Sequence, residues 1–165
     1  MSYAGFHARN HPQQVRARGT DLAADRRATP ALLFSLLHAR FEFTVDVAAL
    51  PDNAKLPRFY TPADDGLEQD WTGERVWCNP PYSDIEPWVA KAGRRDQDLA
   101  VLLLPANRTE QGWWQDYVER QRDRAGGLRV EFLRGRVRFV PSGADPKPNE
   151  RPPFGCCLLI YHGLV

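Results

Sequence analysis

Asn79-Pro80-Pro81-Tyr82 closes a short apolar stretch, Arg75 to Cys78, that reads as a strand. Consecutive prolines forbid helix and cannot donate to a sheet ladder, so the chain must leave that strand through a stiff corner. In such a corner the Asn79 side-chain oxygen and the Pro80 carbonyl can converge on one donor, while Tyr82 presents a flat face. Two acceptors beside a stacking surface describe a site for a planar amine. The exocyclic amine of adenine, the amine of guanine and the amide of glutamine all meet that description. A plain strand-to-loop corner has the same composition, because prolines often mark such exits. The elements around the corner must therefore decide.

Thr29-Pro30 reads as an N-cap followed by proline at the first helical position. Leu32, Leu33, Leu36 and Leu37 then form a helical apolar stripe running to about Arg40. Phe41 to Val47 reads as a strand that ends at Asp46-Val47-Ala48-Ala49. Residues 52–58 suggest a short helix, Phe59-Tyr60-Thr61 a brief strand, and Asp64-Asp65-Gly66-Leu67 a turn. After the corner, residues 84–94 form a helix with Trp88 on its apolar face. Leu99 to Leu104 is a continuous apolar run, the mark of a central parallel strand. A helix is expected over 110–124, carrying Trp113, Trp114 and Tyr117, the two tryptophans as core. Strands follow at 128–133, 137–140 and 156–161. The Arg134-Gly135 corner makes the first two a candidate hairpin.

Strands alternating with helices, then finishing in strands, argue for a three-layer α/β sheet. Ligands of such sheets bind beyond the carboxyl ends of the strands. Asp46, Asn79 and the Pro105-Ala106-Asn107-Arg108 loop all fall at such ends, which points to one shared site. Residues 1–28 are polar, arginine-rich and without a clear period, and read as a mobile or extended arm before a single domain at 29–165.

The chain of 165 residues carries a net charge of +1, but the charge is unevenly placed. Residues 1–27 hold five arginines against two aspartates, residues 41–93 four basic against ten acidic, and residues 94–140 ten arginines against seven acidic. An acidic middle suits a cationic cofactor, and basic flanks suit a phosphate backbone. No apolar run approaches the roughly 18–20 residues of a membrane span, and the amino-terminal residues lack the apolar centre of a signal peptide. A cytoplasmic protein with no membrane partner is expected. Cys78, Cys156 and Cys157 lie in apolar strand patterns without metal-ligand spacing, which fits buried thiols in a reducing compartment.

These residues together resemble the small phage-type DNA N-6-adenine methyltransferases of phages and prophages. The likeness runs from Thr29-Pro30 through Phe43-Thr44-Val45-Asp46-Val47-Ala48-Ala49, Asn53-Ala54-Lys55, Asp65-Gly66-Leu67, Trp71 and Val76-Trp77-Cys78-Asn79-Pro80-Pro81-Tyr82-Ser83. It continues through Trp88-Val89-Ala90-Lys91-Ala92, Leu104-Pro105-Ala106-Asn107-Arg108-Thr109, Trp113-Trp114, Phe132-Leu133-Arg134-Gly135-Arg136 and Pro153-Phe154-Gly155. The resemblance implies a Rossmann-like methyltransferase fold, abbreviated on the N-terminal side of the sheet. It also implies S-adenosylmethionine as methyl donor, no metal, and double-stranded DNA as partner inside a bacterial host cell. Asn79, Pro80, Pro81 and Tyr82 are then the motif that binds the target adenine.

One departure concerns the loop after the first strand. A glycine-rich loop is usual there, and Asp46-Val47-Ala48-Ala49 takes its place, with Ala48 small enough for a cofactor to approach the backbone. Asp46 is expected at the amino-acid or ribose end of the donor, or else as a strand-end cap. Asp65 would accept from the donor's adenine amine, or serve only the turn. Thr29 and Pro30 would line the methionine end, or only cap the helix. Arg108, Arg134, Arg136 and Arg138 are the expected phosphate contacts, and the proline-rich loop 141–153 is expected to choose the target sequence. Two rival readings remain open at this point: a protein glutamine methyltransferase with the same corner, and a non-catalytic nucleic-acid-binding remnant of the fold.

Overall fold

A computed structural model describes residues 25, 28–122, 124, 126–140 and 152–164. Nearly all of the expected arm and of the proline-rich loop lies outside these residues. The architecture is mixed α/β, with one five-stranded sheet in the order β1-β2-β3-β5-β4. The strands are β1 Val45–Asp46, β2 Arg75–Cys78, β3 Leu99–Pro105, β4 Leu128–Phe132 and β5 Cys156–His162. β1, β2 and β3 are parallel, and β5 runs antiparallel to both β3 and β4.

All seven residues of β3 are buried, as its unbroken apolar run requires of a strand covered on both faces. Its pleat sorts them. Ala100, Leu102 and Leu104 pack with Trp88, Val89, Ala92, Trp113 and Trp114 on one side. Leu99, Val101 and Leu103 pack with Phe34, Leu37, Phe41, Val137 and Phe139 on the other. Helix α1 (Ala31–Phe41) therefore covers one face, and helix α2 (Glu86–Ala92) with a π-helical turn at Trp114–Val118 covers the opposite face. No helix of the described residues is long and apolar enough to cross a membrane.

Several local expectations give way to tertiary packing. In α1 the buried side chains are Phe34, Leu37 and Phe41, while Leu32 and Leu36 are 74% and 63% exposed. A helix apolar nearly all round does not reveal by period which stripe faces the core. The strand expected over 41–47 shrinks to Val45–Asp46, because Phe41 completes α1 and Glu42 ends it at a φ of 50°. Residues 52–58 form turns rather than a helix. Pro51 and Pro57 leave too short a span, and side chains claim its amides: Leu50 N–H donates to Asn53 Oδ1 at 2.7 Å and Lys55 N–H to Asp46 Oδ2 at 3.0 Å. The segment at Phe59 makes only one parallel bridge, to Asp46.

The helix expected over 110–124 is instead centred on the π-helical turn, with Trp113 and Trp114 both buried. The hairpin across Arg134-Gly135 does not form. β4 pairs with β5, whose long apolar strand offers one edge to β3 and the other to β4. Residues 137–140 make only the bridge Ala28–Val140.

Candidate active site

The parallel arrangement of β1, β2 and β3 puts their carboxyl ends on one edge of the sheet. The register pairs Asp46 with Trp77, one residue pair before Asn79 leaves β2. An open cleft lies at this edge. Thr29, Asp46, Ala48 and Asn79, four of the candidate site residues, line it together with Asp25, Ala28, Asn53, Lys55 and Trp77. The roles of Asn53 and Lys55 could have been suspected, since both belong to a motif quoted above. Asp25 carried no signal, because it lies in a segment without pattern.

Asp46 is only 3% exposed. Its carboxylate accepts Lys55 N–H at 3.0 Å and Ala48 N–H at 3.4 Å, so the loop after β1 wraps around it. Burial raises its pKa to about 6, opposed by the two backbone hydrogen bonds and by the Lys55 charge. Burial in turn lowers the Lys55 ammonium, which Asp46 partly offsets. Thr29 is 1% exposed and its Oγ1 makes no hydrogen bond among the described residues. It does not cap α1, whose N-cap is Pro30 without a side-chain cap. A buried hydroxyl without a partner is costly, and in a cleft wall it marks a place for a ligand's polar atom.

Pro30 opens α1 and is not part of the cleft wall. Asp65 is also outside it: this exposed residue has a φ of 51°, and its carboxylate accepts the Leu67 N–H at 3.1 Å within its own turn. That turn is nevertheless close. Gly66 packs on the Val47 carbonyl, Trp71 Nε1 donates to Gly66 O at 2.9 Å, and Lys91 Nζ donates to Leu67 O at 2.6 Å and to Gln69 O at 2.7 Å.

At the corner itself Pro80 is buried and Asn79, Pro81 and Tyr82 are half-buried. The Tyr82 hydroxyl donates to Leu103 O at 3.1 Å, and its ring meets Phe139 edge-on at 5.9 Å and Phe154 at 6.0 Å. Burial pushes the phenol pKa well up, so it stays a neutral donor. Arg108 is half-buried, and its guanidinium donates to the Tyr82 carbonyl. Ser83 is held as well: its Oγ donates to Asp25 Oδ2 at 2.6 Å and its N–H to Asp25 Oδ1 at 3.3 Å. Arg134, Arg136 and Arg138 are exposed on an extended segment whose intervening Val137 is buried. None of the three is part of the cleft wall.

Comparison with known proteins agrees with this geometry. The family model described as DNA N-6-adenine-methyltransferase (Dam) matches residues 17–164. A DNA N-6-adenine-methyltransferase of Haemophilus phage HP1 is 39% identical over 135 residues, covering 78% of this chain and 75% of its own length. A DNA N-6-adenine-methyltransferase of Escherichia phage T1 is 31% identical over 101 residues, covering 57% of this chain and 42% of its own. The chain belongs to the DNA N-6-adenine-methyltransferase (Dam) family. Membership implies S-adenosylmethionine as the methyl donor, and a buried carboxylate, a hydroxyl with no partner among the described residues, and small residues at Ala28 and Ala48 are compatible with part of such a molecule.

Proposed function

We propose that this chain methylates N6 of adenine at specific sites in double-stranded DNA, with the donor's amino-acid end in the carboxyl-edge cleft and the target base at the Asn79–Tyr82 corner. The observation that supports this most directly is the meeting of Thr29, Asp46 and Asn79 in one cleft in a member of the Dam family. S-adenosylmethionine, when bound, supplies an electrophilic methyl group on a sulfonium.

The acceptor amine is a weak nucleophile, because its lone pair is delocalised into the ring. Asn79 Oδ1 and the Pro80 carbonyl accept its two hydrogens, favour a pyramidal nitrogen and stabilise positive charge as it develops. Asparagine stays neutral, so no general base is assigned, and the proton leaves to water after transfer. The amine is engaged in pairing within a duplex, so the base must be turned out to reach the corner. Tyr82 would stack on it with whichever face its hydrogen bond to Leu103 leaves free. Asp46 receives the donor's ammonium, and Thr29 Oγ1 takes a polar atom of the same end. Holding the two reactants in line supplies much of the remaining rate.

The sheet reads as a Rossmann-like methyltransferase sheet shortened on the β1 side, in support of which both its faces carry core clusters beneath helices. Residues 29–165 then form the single methyltransferase domain. Arg134, Arg136 and Arg138 supply phosphate contacts and the 141–153 loop the base contacts. Incubation with labelled S-adenosylmethionine and plasmid DNA, followed by nucleoside analysis, tests the reading. N6-methyladenine is the expected product. Unmodified DNA together with a labelled glutamine-containing peptide would overturn it.

A further inference from the structure

The Asn79–Ser83 corner is held at its far end from two directions. Arg108, just past β3, donates to the Tyr82 carbonyl. Asp25, from the segment ahead of α1, takes both the Oγ–H and the N–H of Ser83, at 2.6 Å and 3.3 Å. The two holders also sense each other. Burial lowers the Arg108 pKa, and the charge of Asp25 is among those that oppose the shift. Three residues after Asp25, Ala28 and Val140 exchange hydrogen bonds at 2.8 Å and 2.9 Å. Asp25 is half-buried and also lines the cleft, so one carboxylate touches both the donor wall and the acceptor corner.

We propose that Asp25 is a positioning residue for methyl transfer: through its paired hydrogen bonds to Ser83 it fixes the backbone after Tyr82, and with it the angle at which Asn79 and Pro80 meet the amine. The chemistry requires such a hold. Two acceptors aimed at one nitrogen lose their effect when the corner swings by a fraction of an ångström. The prolines stiffen Pro80 and Pro81, but nothing in their own covalent structure fixes Tyr82 and Ser83. A carboxylate accepting two bonds from one residue defines both position and direction, and a charge-assisted acceptor is roughly twice as strong as a neutral one. Asp25 thereby belongs to the active site.

This inference rests on the proposed function, and its test separates the two. Asp25→Ala, Ser83→Ala and the double variant are compared with the unaltered chain in four readouts. These are kcat for DNA methylation, calorimetric affinity for S-adenosylhomocysteine, thermal unfolding midpoint and deuterium uptake of the peptide spanning 79–86. Each single variant should lose about tenfold or more in kcat. The double variant should lose no more than the worse single, as for residues acting as a unit. Affinity for S-adenosylhomocysteine should hold in Ser83→Ala, which leaves the cleft wall intact, and uptake over 79–86 should accelerate in each variant without a change in β2 or β3. Asp25→Asn, which keeps one acceptor for Ser83, should recover part of the rate. The proposal is overturned if the losses multiply, if the loss in Ser83→Ala follows weakened S-adenosylhomocysteine binding, or if uptake over 79–86 is unchanged. An unaltered chain that makes no N6-methyladenine would sink the functional reading instead, and the exchange measurement would still decide whether Asp25 holds the corner.

Discussion

Gly66 lies against the backbone of Val47 so closely that a Cβ on it would sit 2.0 Å from the Val47 carbonyl oxygen. Only glycine permits this approach. It docks the Asp64–Trp71 turn on the chain just past Asp46, where a glycine-rich loop is usual after the first strand. The close approach thus comes from a glycine on the neighbouring loop.

Gly66→Ala should therefore lower stability by about 1–3 kcal/mol or more, the cost of overpacking against rigid backbone. It should also weaken S-adenosylhomocysteine binding, since the loop after β1 must move. Gly112→Ala, where an added Cβ meets nothing within 4 Å, is the control and should leave both unchanged. Thermal unfolding and calorimetry on the two variants check this.

Asp46 should make both stability and donor binding depend on pH, in opposite directions. Its folded pKa of about 6 stands above the unfolded value near 4. The folded state thus binds the proton more tightly, and stability falls as pH rises from about 4 through about 6. The full swing is on the order of 3 kcal/mol and should vanish in Asp46→Asn. Affinity for a donor ammonium needs the ionised carboxylate, so it should rise over the same window in the unaltered chain and stay flat and weak in Asp46→Asn. Denaturant unfolding and calorimetry at pH 5 and pH 7.5 distinguish the two trends.

The arginines expected on phosphate should divide into two groups. Arg136→Ala with Arg138→Ala should weaken all duplexes alike and flatten the salt slope by about one unit per lost contact. Arg108→Ala should leave that slope nearly unchanged and lower kcat, because its guanidinium is engaged at the Tyr82 carbonyl. Salt titrations of duplex binding by fluorescence anisotropy, with parallel rates, check both halves.

The parts of this fold that were legible in the sequence are those where local pattern and tertiary role coincide. Leu99 to Leu104 could only be a strand covered on both faces, and the proline pair could only be a rigid exit from β2. From those two, the carboxyl-edge position of Asn79 and Asp46 followed. Pattern failed where partners are distant. Val137 and Phe139 alternate with arginines as a strand would, yet they pack on the sheet face without a ladder, because β5 had already taken β4. Asp65 carried the right chemistry for a donor contact, but its carboxylate closes its own turn. Asp25 and Lys55 reach the cleft only through the chain's path in space. Arg108, read as a phosphate contact from its place just past a strand end, also donates to the Tyr82 carbonyl, a partner that no local pattern announces.

The central claim is that Asn79 acts on the acceptor amine and not on the fold or the donor. Single-turnover methylation of DNA by the unaltered chain and by Asn79→Ala, with S-adenosylhomocysteine affinity and unfolding midpoint measured alongside, tests it most directly. The expected result is N6-methyladenine from the unaltered chain, a loss of roughly a hundredfold or more in the rate of the variant, and little change in donor affinity or midpoint. A variant that methylates adenine at close to the unaltered rate would contradict the account.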